Sequence, residues 1–388
     1  MSDEERAMDV GVRNGSALSY IRGLDGLRAI SVLWVIAFHY LSYFRKELAA
    51  LPLSSSMLRN ALSEGWVGVD IFLVISGFLI TKIILKDPVQ TVSYAHFMRR
   101  RAWRLLPAYI LVLATFTATA LIIDPSSKVM GNSWSLWTLT SNLLLSFGDR
   151  TALMDDHFAM YHLWSVAIEW HFYAIMPFVI RKFQTPQRAA AVLIVAAIAC
   201  RTAFHFLEAS DNAIYAFSLC RIDAFSIGAL VAVARPLATP GRMMVIGAVG
   251  AGCFALILSS IAISNEPFKA IVWVQTAGYT LIDAAIGLVV FFVVHANAAS
   301  LPIRLLESLP LRSIGRASYS LYLWHIPFFP LLVLFARDRF QDSIAAFWFS
   351  SISGLAFTAL AGTLSYWFVE RRYMASRASR TDAVAAAG

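Results

Sequence analysis

Residues 66–85 read WVGVDIFLVISGFLITKIIL, a run in which only Asp70 and Lys82 carry charge. A helix that crosses the hydrocarbon of a bilayer needs about 20 mostly apolar residues. This run has that length, and comparable runs recur along the chain, separated by charged residues, prolines and glycines. The sequence therefore predicts an all-α, polytopic membrane protein with about ten transmembrane helices.

The predicted spans cover residues 26–44, 66–85, 103–123, 163–180, 189–207, 213–234, 243–263, 271–294, 318–335 and 344–369. The fifth and sixth carry internal charge that a lipid-exposed helix would tolerate poorly: Arg201 lies in the fifth, and Arg221 and Asp223 lie in the sixth. The connection between the third and fourth spans, residues 124–161, is the longest. Its stretch 132–147 is too short and polar for a span, so we expect it to be interfacial or re-entrant.

The composition of the 388 residues supports a membrane protein, since 59% are hydrophobic and 14% are charged, against about 45–50% and 25% in soluble domains. The net charge of +8 does not indicate a nucleic-acid partner, because the basic residues lie at the ends of apolar runs. The three cysteines lie inside apolar stretches without metal-ligand spacing. We therefore expect no disulfide framework and no metal site.

The distribution of basic residues predicts the topology. If both termini are cytoplasmic, most of the 32 Lys and Arg residues fall in cytoplasmic segments, as the positive-inside rule requires. Residues 1–19 and 374–388 are then cytoplasmic tails, and residues 20–373 form the transmembrane domain. No signal peptide is expected before the first span. The predicted location is the inner (cytoplasmic) membrane, with residues 124–161 outside.

An ionisable group at membrane depth is costly and marks a candidate functional site. Arg28 and His39 lie eleven residues apart, so on one helix they are separated by about 16.5 Å along the axis and about 20° around it. An extended ligand, such as a phosphopantetheine arm, can therefore place its anion at Arg28 and its reacting atom at His39. The alternative is an interfacial arginine and a core histidine bonded to a backbone carbonyl.

Three further residues extend this candidate site. Arg101 and Arg104 face the same way on the third span and can bind phosphates with planar guanidinium groups, although positive-inside anchoring explains them equally well. Asp70 lies at a depth comparable to His39 and can hold the tautomer of its imidazole. A bond from Asp70 to a neighbouring hydroxyl or arginine is the alternative. Nearby glycines, Gly68 among them, are expected to permit close helix packing.

Glu169 and His171 lie in mid-membrane but point differently, since residues two apart on a helix do not share a face. We expect Glu169 to face the site. The residues expected to contact the acceptor or line a cavity are His171, Arg221, Asp223, Tyr322 and His325. For Arg221 and Asp223, neutralisation of other buried charges is the alternative. For the segment SYSLYLWHIP, residues 318–327, the alternative is an aromatic packing stripe.

Seven stretches in order carry a family resemblance: YIRGLDGLRAISVLWVIAFHY, GWVGVDIFLVISGFLITK, RRRAWRLLPAY, YHLWSVAIEWHFYAIMP, RIDAFSIGAL, SYSLYLWHIP and FVERR. Over residues 20–373 the chain resembles the acyltransferase type 3 family of integral-membrane O-acyltransferases. The resemblance implies transfer of an acyl group, usually acetyl, from cytoplasmic acyl-CoA to a hydroxyl on an extracytoplasmic carbohydrate, glycolipid or macrolide. Acyl-CoA is then a co-substrate, and no cofactor is implied.

The family's signatures fall on residues already singled out. Its Arg-x10-His signature matches Arg28 and His39, and its Arg-x-x-Arg element matches residues 101–104. Asp70 matches the aspartate before SGFLI. Glu169 matches the first acid of a motif that often ends in Glu-Gln, an ending that Trp-His replaces here. Some relatives carry a further periplasmic transferase domain, so a separate periplasmic transferase is an expected partner.

The predicted enzyme uses His39, assisted by Asp70 or Glu169, to deprotonate the acceptor hydroxyl. The arginines expected to hold the CoA phosphates are Arg28, Arg101 and Arg104. A multi-span secondary transporter or glycolipid flippase is the alternative function, because ten spans and buried carboxylates suit it equally well. Release of free CoA would distinguish the predicted enzyme from a transporter or flippase.

Overall fold

The computed structural model describes residues 20–44, 64–86, 93–149, 151–237, 239–263 and 271–373. Helices dominate these ranges, where the only β pairing is an isolated bridge between Met154 and Ala159. The predicted all-α class is therefore confirmed. The predicted cytoplasmic tails, 1–19 and 374–388, lie outside the described residues.

The main helices are α1 (Leu24–Ser42), α2 (Gly68–Lys86), α3 (Tyr94–Ile123), α4 (Trp164–Phe183), α5 (Pro186–Phe206), α6 (Ile222–Val233), α7 (Pro240–Ile263), α8 (Tyr279–His295), α9 (Ser318–Trp324), α10 (Phe329–Arg339) and α11 (Ser343–Ser365). Shorter helices are Lys128–Gly131, Trp134–Trp137, Ser141–Phe147, Asp211–Ala216, Leu301–Leu306 and Leu309–Arg316. Single 3-10 turns (Gly65–Val67, Tyr161–Leu163 and Ser218–Arg221) and π turns (Val274–Gly278 and Tyr366–Glu370) adjoin the long helices.

Eight helices in the described ranges are long and apolar enough to span a membrane, or nine if α9 and α10, bent by 51°, count as one span. The protein is thus a multi-pass membrane protein. One predicted span, 213–234, is wrong as a single helix. The chain there breaks before α6, and the break frees the Cys220 carbonyl to accept a hydrogen bond from the buried guanidinium of Arg201.

Helix α2 lies between α1 and α6 at backbone contact. A Cβ atom at Gly68 would lie 2.6 Å from the Ser31 carbonyl oxygen of α1, and one at Gly77 would lie 2.0 Å from the Phe225 oxygen of α6. The Ser31 hydroxyl also donates to the Gly68 carbonyl. Helix packing therefore requires glycine at these positions, as expected, and fixes Asp70 and its neighbours between two helices.

The connection after α3 is built from short helices, and none of them spans a membrane. Aspartates hold it together: His157 Nδ1 lies 3.0 Å from Asp124 Oδ2, and the Ser127 hydroxyl donates to Asp155 at 2.5 Å. Hydrogen bonds from Lys128 and Thr151 lower the pKa of Asp149 to about 2. Asp149 is therefore ionised at neutral pH and forms an ion pair with Lys128.

Candidate active site

Two cavities among the described helices contain residues of the expected site. The first, here the arginine cavity, includes Arg28, Arg104 and Glu169 in its wall. The second, the aromatic cavity, includes His39, Trp66 and Tyr215. Helix α1 contributes to both, because Arg28 and His39 lie near its opposite ends.

The arginine cavity brings two like charges together. Arg28 interacts electrostatically with Arg104. The carboxylates that offset this repulsion belong to Asp25, Glu370 and Glu169. Glu370 is 5% exposed and accepts a hydrogen bond from the Ser320 hydroxyl at 2.7 Å. Two guanidinium groups at one cavity favour an anionic ligand, since they can form charge-assisted hydrogen bonds with phosphate oxygens.

Arg101 does not line this cavity. Its guanidinium carbon lies 5.9 Å from the centre of the Phe97 ring, and its side chain is buried. The expected pair on α3 is therefore divided, since Arg104 faces the arginine cavity and Arg101 packs nearer the start of the helix.

Glu169 lies in the arginine cavity and not beside His39. The Ser76 hydroxyl donates to its Oε1 atom at 2.6 Å, and the Tyr173 hydroxyl donates to the same atom. These donors fix the carboxylate on the side of Arg28. Glu169 thus faces the site, as expected, but at the end opposite to the histidine.

The aromatic cavity surrounds His39 with rings. Tyr161 contacts the imidazole edge to face, with ring centres 5.6 Å apart, and Trp66, Trp164 and Tyr215 extend the same wall. Ser42 and Asn212 supply polar groups. Such a wall suits a ligand with apolar faces and hydroxyl groups.

The partner of His39 is another histidine. His39 Nδ1 lies 3.0 Å from His325 Nε2, and His325 Nδ1 lies 2.6 Å from the carbonyl oxygen of Tyr322. His325 follows the last residue of α9, at the break before α10. Its placement beside the aromatic cavity agrees with the expectation for this residue.

Asp70 pairs with Arg221 and not with His39, which corrects the first expectation for it. The pair is buried, and the guanidinium of Arg221 stacks over the Tyr279 ring at 4.3 Å. The pairing of Asp70 with Arg221 follows from helix packing, because α2 contacts α6 through its glycines and Arg221 immediately precedes α6. Asp70 therefore neutralises a buried charge.

Arg221 and Asp223 line neither of these two cavities, contrary to the expectation. Arg201 forms a second buried ion pair with Asp223 at 2.9 Å, and the Thr280 hydroxyl donates to the same carboxylate oxygen at 2.5 Å. Burial of both charges without solvent requires such partners. The alternative interpretation, neutralisation of other buried charges, describes both residues.

His171 is also absent from both cavity walls. Its Nδ1 atom lies 2.8 Å from the Ser218 hydroxyl, which also accepts a hydrogen bond from Asn142. His171 thus bridges α4 to the 3-10 turn that precedes α6, a structural contact.

Val69 and Tyr322 belong to the walls of both cavities. The Tyr322 hydroxyl lies 2.7 Å from the Ser165 hydroxyl and donates to the His162 carbonyl at 2.8 Å. The two cavities therefore adjoin at this point.

Sequence reasoning missed His162 and Glu370. His162 is 1% exposed, and its Nε2 atom lies 3.4 Å from the Leu323 carbonyl. That carbonyl is free because its helical partner would be Pro327, which has no N–H. The proline in WHIP was the available signal for His162. The position of the acid in FVERR, directly after the last predicted span, was the signal for Glu370.

A family model described as "Acyltransferase domain" matches residues 21–367. The O-acetyltransferases OatA of Staphylococcus aureus strains NCTC 8325 and MRSA252 are each 26% identical to the chain over 376 residues, which cover 90% of this chain and 57% of theirs. The chain thus spans little more than half the length of these curated relatives. No solved structure matches it. The chain therefore belongs to this acyltransferase family, the one its motifs resemble.

Proposed function

We propose that the protein moves an acyl group, in the first place acetyl, from acyl-CoA to a hydroxyl of a carbohydrate or glycolipid on the other side of the membrane. The observation that carries the proposal is the pair of adjoining cavities, with arginines in one, a histidine in the other, and Val69 and Tyr322 in both walls. The names of the OatA relatives support acetyl as the group transferred.

The arginine cavity is the proposed donor site. Arg28 and Arg104 bind phosphates of CoA, and Glu169 and Glu370 hold these guanidinium groups in place. The distance of about 16.5 Å along α1 from Arg28 to His39 suits an extended phosphopantetheine arm. The thioester then lies near Tyr322, at the junction. By the positive-inside rule, this donor enters from the cytoplasmic side of the inner membrane.

The aromatic cavity is the proposed acceptor site. Its rings stack on the apolar faces of sugar rings, and a macrolide would use the same surfaces. The cavity lies near the end of α1 that the basic-residue bias assigns to the outside. A separate periplasmic transferase is a proposed partner that receives or relays the group.

His39 is the proposed general base. It removes the proton of the acceptor hydroxyl, and the oxygen attacks the thioester carbonyl carbon. The C–S bond then breaks, and the proton passes from His39 to the sulfur, so that an ester and CoA-SH leave. No proton is gained or lost overall.

The test has two readouts. Mass spectrometry compares envelope glycans and glycolipids from cells with and without the protein, and we expect a mass difference of one acyl group. Membrane vesicles given acetyl-CoA and such an acceptor should release free CoA only when the protein is present. A mass difference without CoA release would indicate transport of an already acylated lipid and would overturn the proposal.

A further inference from the structure

The contact between His39 and His325 determines which nitrogen can act as a base. The two rings are 7% and 2% exposed, so an imidazolium in either position would be costly. The Tyr322 carbonyl 2.6 Å from His325 Nδ1 can only accept a hydrogen bond, so His325 Nδ1 carries the proton. Neutral His325 therefore presents its lone pair at Nε2.

The same reasoning continues to the second ring. His325 Nε2 faces His39 Nδ1 at 3.0 Å, and two lone pairs would repel at that distance. His39 Nδ1 therefore carries its proton and donates it to His325. The lone pair of neutral His39 is then on Nε2. These tautomers are assigned from the hydrogen-bond network.

We propose that His325 is a positioning residue that holds His39 in the tautomer with its proton on Nδ1, so that Nε2 is free to accept the proton of the acceptor hydroxyl. This inference rests on the proposed function, in which the lone pair on His39 Nε2 serves as the general base. His325 itself contacts His39 and not the reacting atoms. The role we first assigned to Asp70 or Glu169 thus belongs to a neutral imidazole on another helix.

The break between α9 and α10 holds His325 in place. The backbone carbonyl of His325 accepts a hydrogen bond from the Tyr40 hydroxyl at 2.9 Å. The Tyr40 hydroxyl also lies 2.9 Å from the Thr358 hydroxyl. Tyr40 follows His39 directly on α1. The two histidines are therefore fixed to each other twice, through their rings and through Tyr40.

Kinetics of two variants of similar length test the role. His325→Gln keeps a carbonyl oxygen that can accept from His39 Nδ1–H, whereas His325→Met keeps the packing but has no such acceptor. We expect His325→Met to lower kcat about 10²-fold with the KM for acetyl-CoA unchanged, a smaller loss than the roughly 10⁴-fold effect of mispositioning a catalytic histidine beside an aspartate. His325→Gln should recover at least about a tenth of the wild-type kcat. Equal losses in both variants would overturn the proposal.

Nitrogen-15 NMR of histidine-labelled protein tests the tautomer without any assay of activity. The His39 signals are assigned by their loss in His39→Ala. We expect wild-type protein and His325→Gln to show a protonated Nδ1 and an unprotonated Nε2, and His325→Met to show a mixture. A proton on His39 Nε2 in the wild type would overturn the inference. Absence of acyl transfer with the expected tautomer would instead contradict the proposed function alone.

Discussion

Asp70 and Arg221 form a buried ion pair that links α2 to the turn before α6. A second buried pair, Arg201 and Asp223, lies close by, since both guanidinium groups contact the Tyr279 ring. Neither Asp70 nor Arg221 reaches His39 or lines the two cavities. The pair of Asp70 and Arg221 therefore contributes to assembly of the helices around the site.

This pair predicts a pattern in stability. Asp70→Asn or Arg221→Met should each lower the free energy of unfolding by about 3–5 kcal/mol, because each leaves an uncompensated buried charge. The double variant should lose less than the sum of the two. Thermal unfolding of the detergent-solubilised protein measures all three. A loss of kcat at full stability in Asp70→Asn would instead restore a catalytic role for this carboxylate.

His39→Ala should reduce acyl transfer about 10²–10⁴-fold, the usual contribution of a general base, with abundance and membrane insertion unchanged. His171→Asn is the matched control, since it replaces a half-buried membrane histidine that lines neither cavity. CoA release from vesicles measures both. Near-normal activity in His39→Ala would contradict the assignment.

The two arginines of α3 should respond differently to lysine. Arg104→Lys keeps the charge but loses the planar fork, so the KM for acetyl-CoA should rise about tenfold, in line with roughly 1.5–3 kcal/mol for a hydrogen bond to a charged group. Arg101→Lys should change KM by less than about twofold, because Arg101 does not line the arginine cavity. Equal effects would show that both arginines bind the donor.

Enlarging the side chain at the junction should separate binding from transfer. Val69→Phe places a ring where the two cavities adjoin, so acetyl-CoA should still bind while transfer falls at least about tenfold. The transfer rate of Val69→Leu should lie between that of Val69→Phe and that of the wild type. Binding is measured by equilibrium dialysis and transfer by product mass. Transfer at the wild-type rate in Val69→Phe would show that the acyl group follows another path.

Sidedness can be measured with a single introduced thiol. Asp156 is exposed and lies next to Asp155, which is held by hydrogen bonds, so Asp156→Cys disturbs the segment least. In a chain whose three native cysteines are replaced, this thiol should be labelled only from the face opposite to the one that uses acetyl-CoA. Labelling from the same face would overturn the transmembrane transfer.

Hydrophobic length predicted the membrane helices because it is a local property of the chain. Helix geometry also placed Arg28 and His39 near opposite ends of one helix, which the two cavities bear out. The predicted length of the sixth span was wrong. The sequence shows that Arg221 and Asp223 are charged, but it does not show the turn that lets them reach their partners.

The partners of buried groups could not be predicted from depth alone. Asp70 lies at a depth suited to either His39 or Arg221, and the rotation of α2, set by its glycine contacts, selects Arg221. The contact between His39 and His325 joins residues 286 positions apart, so no periodicity could indicate it. Only assembly of the helices brings such groups together.

The glycine contacts of α2 also bear on motion. Backbones that touch at Gly77 and Phe225 cannot slide or rotate past each other without a clash, so this side of the arginine cavity is a fixed wall. The cavity wall also contains α3 and α4, which carry internal prolines at Pro107 and Pro177 and therefore lack a helical hydrogen bond at each. If a ligand enters or leaves this cavity, we expect these two helices to bend and α2 to stay in place.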